Sequence, residues 1–192
     1  MGFNEFVQTL LTDKPATEER QLLGMTVEEQ ARTFGKKFKD DPSDILDNII
    51  KKNEGFRSSP YLDTKGKSTI GYGFNISDET VRQLIPQDVL IGKRELSKDE
   101  SDEIFGKLKQ RAIGDAQTFV GRDTFGKLTS SQQIGLTDMA YNMGLKSLNK
   151  FNNLREALIN GDKIGAKREV LDSKYAKDVP SRALNNANLM LK

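Results

Sequence analysis

The chain has no cysteine and no histidine among its 192 residues. The first absence excludes a disulfide framework and a thiolate metal site. The two together leave a zinc ion without its usual nitrogen and sulfur ligands, so no metal and no cofactor is expected. Any acid–base chemistry must then fall to carboxylates. Long apolar runs are missing too, since none approaches the ~20 residues that span a bilayer. The N-terminus also lacks the basic, apolar, small-residue order of a signal peptide, and a soluble protein without a membrane span is expected. No basic run exceeds two residues and no aromatic–basic repeat occurs, so nucleic acid is not an expected partner. What remains is ample for one domain, because 192 residues with 35% apolar content can bury a real core and carry a modest extra element.

Charge is unevenly placed. Residues 1–48 hold six Lys/Arg against ten Asp/Glu, a net −4, whereas residues 49–192 hold twenty-four against eighteen, a net +6, for the total of +2. A basic second part suits an anionic polymer as partner.

Two carboxylates in unlike surroundings lie between Lys52 and Phe74. Ile45, Leu46, Ile49 and Ile50 fall at helical spacing behind Pro42 and Ser43, which reads as the N-cap, and Gly55 ends the helix. Glu54 therefore sits on a last turn, where the negative end of the helix dipole favours the protonated form and a general-acid role. Asp63 follows a short Tyr-Leu strand and opens Asp-Thr-Lys-Gly, a turn signal, with Lys67 to Tyr72 as the return strand. Helix end, strand, turn and strand can set the two acids on opposite walls of one cleft, with Thr69 sharing a water with Asp63. Alone, a Glu near a helix end and an Asp at a turn are ordinary surface residues. Two carboxylates are also the minimum equipment for cleaving a glycosidic bond.

The string around them decides between those readings. Glu54, Gly55, Phe56, Arg57, Tyr61, Asp63, Thr69, Ile70, Gly71 and Gly73 follow, without insertion, a pattern that resembles the phage-type lysozymes of glycoside hydrolase family twenty-four. Weaker likeness continues through Leu-Ser-Lys-Asp-Glu (96–100), Asp-Met-Ala-Tyr-Asn-Met-Gly (138–144), Phe151 and Pro-Ser-Arg-Ala (180–183), over about three-quarters of the chain. The resemblance implies Glu54 as general acid, Asp63 as the carboxylate that activates water, Thr69 as its partner and Arg182 as the cation that pairs with the acid. Aligned on the Met-Gly anchor, it also implies Asn75, Tyr141 and Asn142 as substrate contacts along the cleft. Two positions depart from the family: Phe74 stands where a His is common, and Asn142 where relatives carry Gln. A cation beside Glu54 would favour its ionised form and oppose the effect of burial.

Family members are inverting, which implies that Glu54 protonates the leaving oxygen while a water held by Asp63 attacks the opposite face of the sugar. The implied substrate is peptidoglycan, at the β-1,4 bond between N-acetylmuramic acid and N-acetylglucosamine. Two alternatives stay open: a lytic transglycosylase, which needs one acid and leaves an anhydro sugar, and a non-catalytic virion or wall-binding module. Asp63 and Thr69 beside Glu54 favour hydrolysis. The resemblance further implies a monomer that waits in a host cytoplasm until released to the wall, or one carried in a virion.

Organisation follows from caps and breaks. Residues 3–11 read as a short amphipathic helix, residues 12–17 as a break, and Thr26 to Glu29 as a capping box opening a helix to about Lys39. Residues 1–42 are thus expected to be a helical extension outside the family likeness, docked on the rest, holding it to a virion or tail protein, or left over from a longer protein. Residues 43–192 are expected to be an α+β, lysozyme-like domain with a small β-hairpin lobe and a larger helical lobe joined by a long helix. Ser77 is read as opening a short helix that ends before Pro86. Ser97 and Glu100 are read as a capping box for a helix to about Val120, and further helices are expected at 131–143, 152–160, 162–173 and 180–190. Gly144 and Gly161 read as C-caps, and Ile134, Met139 and Met143 as core.

Overall fold

The computed structural model describes residues 42–63 and 66–192, and the expected helices at 3–11 and 26–39 lie outside them. The fold is α+β, mostly helical with a small antiparallel sheet, as expected. Helix α1 spans Pro42–Glu54, buries Leu46 and Ile50, and has Ser43 one residue inside its start rather than at a cap. Three strands follow, β1 Arg57–Leu62, β2 Ser68–Gly71 and β3 Phe74–Asn75, in the order β1-β2-β3. The first is longer than the Tyr-Leu pair expected, and the third has no run of its own in sequence because two residues are too few to alternate. Its pairing is tertiary: Thr69 faces Tyr61 on one side and Asn75 on the other.

The short helix expected after Ser77 begins one residue later, because Asp78 rather than Ser77 is the cap. Its carboxylate accepts from Thr80 N at 2.9 Å, opening α2 at Glu79–Arg82. A second short helix, α3 Gln87–Leu90, follows Pro86. The long helix α4, Lys98–Val120, starts at the expected capping box: Ser97 Oγ accepts from Glu100 N at 3.1 Å, and Glu100 Oε2 accepts from Ser97 N at 3.0 Å. Arg94 clamps both Glu100 oxygens at 2.7 and 2.8 Å.

Those Arg94 bonds first, and the Ser97 N–H next, hold the Glu100 carboxyl down at about 2, against an ordinary value of 4.5. A carboxyl depressed by folding contributes stability that is complete above its unfolded value and disappears as pH falls through the folded one. The cap should therefore weaken between pH 4.5 and about 2. Melting curves taken across that range should show a smaller acid-induced drop for Arg94→Met than for the parent chain, and equal drops would refute the assignment.

Beyond α4 come α5 Arg122–Lys127, α6 Ser130–Leu148, α7 Asn152–Ile159, α8 Lys163–Leu171, α9 Lys174–Asp178 and α10 Pro180–Met190. Helix α6 runs past its expected end, but Gly144 leaves helical geometry at φ 72°, ψ 163°, so the punctuation read there is a kink inside one element. The helix expected at 162–173 is α8, and a short helix that was not expected, α9, follows it because Ser173 caps a new start by accepting from Ala176 N at 3.2 Å.

Two apolar clusters form the interior, and α4 and α6 run through both. Ile50, Ile70, Tyr72, Phe74, Phe105 and Ile134 belong to the sheet-side cluster, while Ala116, Phe119, Leu136, Met139, Leu154 and Ala187 belong to the helical one. Ile134 and Met139 are core as expected, whereas Met143 is half-buried and packs against the helical cluster. At the position where a His is common, Phe74 is buried and meets Tyr72 edge-on at 6.3 Å. This chain uses that position to pack the small cluster.

Candidate active site

Helix α1 ends where Gly55 takes a positive φ of 67° and its N–H bonds to Lys51 O at 3.0 Å, leaving Glu54 as the last helical residue. Arg182 reaches it from the first turn of α10. Nη1 of Arg182 donates to Glu54 Oε1 at 2.5 Å, while Nε and Nη2 grip both oxygens of Asp138 on α6 at 2.9 and 2.8 Å. One turn further along α10, Asn186 Nδ2 donates to Asp138 Oδ2 at 2.8 Å and to the Tyr175 hydroxyl at 2.9 Å. The Asp138 side chain is fully buried, that of Arg182 is 7% exposed and that of Glu54 is 19% exposed. Burial would lower the pKa of Arg182, but Asp138 and then Glu54 outweigh it, raising the value and keeping the guanidinium charged.

The other carboxylate sits on the hairpin. Asp63 Oδ1 accepts from Lys67 N at 2.8 Å, and Lys67 O accepts from both Asp63 N at 2.9 Å and Thr69 Oγ1 at 3.1 Å. The peptide of Lys67 thus ties the acid and the threonine into one turn, and Thr69 is buried. Tyr61, opposite Thr69 in the sheet, is half-buried with the Arg57 guanidinium 4.4 Å over its ring. Its phenol pKa is raised by burial first, then by Glu54, with Arg57 opposing and Asp63 adding. One phenol therefore feels both carboxylates.

The β2–β3 turn presses directly on the acid. A Cβ at Gly73, which has φ 74°, would overlap Glu54 Oε2, so only glycine lets this backbone pass so near the carboxylate. Asn75 Oδ1 accepts from Ser77 N at 3.0 Å. The Tyr141 hydroxyl donates to Tyr72 O at 3.2 Å, and its pKa is pushed up by burial and then by Glu54. Asn142, the next residue of α6, is exposed. Among the described residues no group of three or more His, Cys, Asp or Glu is arranged to hold a metal ion.

A family model described as phage lysozyme matches residues 51–187, which takes in Glu54, the hairpin, Asp138 and Arg182. The chain belongs to the phage lysozyme family. It is 28% identical over 160 residues to the pre-baseplate central spike protein Gp5 of Enterobacteria phage T4, covering 75% of this chain and 27% of that protein. It is 27% identical over 150 residues to the protein named probable T4-type lysozyme 2 of Dictyostelium discoideum, covering 72% of this chain and 88% of that one.

Three members of the polar network around Glu54 were given no role in the sequence reading: Asp138, Asn186 and Tyr175. A signal for the first was present, since Asp138 lies beside Met139 on a helix read as core, and a charge at a buried position requires a partner. Asn186 and Tyr175 carry no comparable mark, because an Asn or Tyr is equally at home on a surface.

Proposed function

We propose that this phage lysozyme is a muramidase that hydrolyses the β-1,4 bond between N-acetylmuramic acid and N-acetylglucosamine in peptidoglycan with inversion. The observation that carries the reading is the pairing of an Arg182-held Glu54 at a helix end with a hairpin carboxylate, Asp63, tied through Lys67 to Thr69. Oε1 of Glu54 accepts from Arg182, which leaves Oε2 to carry the transferable proton. That proton passes to the glycosidic oxygen as its bond to the anomeric carbon breaks. A water attacks the carbon from the opposite face and gives its own proton to Asp63. Thr69 spends its hydroxyl hydrogen on Lys67 O, so its oxygen is the acceptor that orients the water's second hydrogen.

In this reading the residues before α1 are an extension of the catalytic part. The likeness to a T4 spike protein supports carriage to the wall on a virion. No helix among the described residues is long and apolar enough to cross a membrane.

Digestion of purified peptidoglycan, followed by mass spectrometry of the ends and NMR of the first-formed anomer, tests the reaction. Reducing muramic ends in the α configuration are expected. Anhydro ends would replace hydrolysis by transglycosylation, β anomers or sugar trapped on Asp63 would remove inversion, and intact glycan would refute the activity.

A further inference from the structure

The buried Asp138 holds two of the three guanidinium nitrogens of Arg182 and leaves one for Glu54. We infer that Asp138 is a positioning residue for the catalytic acid, one that fixes Arg182 against Glu54 and supplies the buried negative charge that opposes the guanidinium. The inference rests on Glu54 being the acid, as proposed above.

The reasoning is a charge count in a poorly solvated place. With Glu54 protonated, Arg182 and Asp138 cancel; with Glu54 ionised, the cluster carries one uncompensated negative charge. If residue 138 were neutral the order would reverse, since Arg182 alone would then be balanced by ionised Glu54. Burial magnifies this difference, because an unbalanced charge costs far more in a low-dielectric interior than in water. Asp138 is fully buried and Arg182 nearly so, and the bidentate grip fixes the guanidinium in orientation as well as in charge.

Among the other groups around the acid, the second negative charge is Asp63 on the hairpin, which acts on the same Tyr61 phenol but accepts from Lys67 N at 2.8 Å and not from Arg182. Tyr61 on β1, Tyr141 on α6 and Tyr175 on α9 all have phenol pKa values raised by burial, and they stay neutral at working pH. Arg57 on β1 is stacked on Tyr61, and Lys51 on α1 is paired with Asp102 at 2.6 Å. The β2–β3 turn presents the backbone of Gly73 to Oε2. Asn186 completes the device by donating to Asp138, which spreads part of the aspartate's charge into a neutral amide.

Two substitutions in the full-length chain move the acid in opposite directions. Asp138→Asn removes the counter-charge, so the Glu54 titration midpoint should fall, as when a cation is left unopposed beside a carboxyl. Asn186→Leu removes the donor but keeps the aspartate, so the midpoint should rise. Carboxyl-carbon NMR titration, with the Glu54 signal assigned through Glu54→Gln, reads this without turnover, so a failure of the muramidase reading leaves the test intact. In an active enzyme the alkaline limb of the pH–rate profile should shift with the midpoint while KM stays unchanged. If Asp138→Asn does not fold, Asn186→Leu alone decides. An unmoved midpoint, or one moving the same way in both variants, overturns the role; a purely structural aspartate would lower activity equally at all pH values.

Discussion

Replacing Glu54 with glutamine is expected to leave a folded protein whose turnover of peptidoglycan is lower by about 10²- to 10⁴-fold, the usual contribution of a positioned acid or base. Glutamine keeps the shape of the side chain, and its amide oxygen can still accept from Arg182 Nη1 as Glu54 Oε1 does. What it lacks is an ionisable proton on the second oxygen. Arg182 also keeps its two bonds to Asp138, so no buried charge loses its main partner. The melting temperature should therefore hardly change while clearance of a peptidoglycan suspension nearly stops. Turnover within a few fold of the parent's would remove Glu54 from the role of acid, and would send attention to the hairpin carboxylate instead.

Arg182→Met should have the largest effect on stability. Methionine fills the same stem volume but leaves Asp138, fully buried, with only the Asn186 amide against its charge. Removing one partner of a buried ion pair typically costs about 3–5 kcal/mol, most of it the desolvation of the charge left behind. For a chain of this size that corresponds to a fall in melting temperature of roughly 6–20 °C. The cause can be isolated with a second change. In Arg182→Met/Asp138→Asn the stranded charge is gone, and most of the lost stability should return, because eliminating both members of a buried pair is often nearly neutral. Activity should not return with it, since Glu54 then lacks the Arg182 bond that orients its carboxyl. A double variant as unstable as the single one would mean that Arg182 acts through packing instead.

These two expectations draw on parts of the molecule that differ in how visible they were from residues alone. The capping box at Ser97 and Glu100 is local chemistry, complete within four residues, and the structure has it as read. The start of α10 at Pro180 and the end of α1 before Gly55 are equally local. Boundaries moved where an adjacent residue competed for the same job, as Asp78 capped α2 in place of Ser77, and a short helix was missed where Ser173 caps a new start just past α8. The strand Phe74–Asn75 was invisible because its only reason to be a strand is its partner, β2.

The functional string from Glu54 to Gly73 is legible for a comparable reason. Its acid, turn, threonine and glycines lie close along the chain, and family membership followed from their order. The sequence by itself determined the family, the α+β class and the absence of any thiol or imidazole to take over the chemistry. The resemblance implied Arg182 beside the acid, and only the tertiary structure decided what stands behind that arginine. Arg182 is 128 residues from Glu54, and Asp138 is 44 from Arg182, so their meeting depends on α1, α6 and α10 packing together. Charge balance at a buried site is a sum over elements far apart in sequence, and no local pattern of residues carries it.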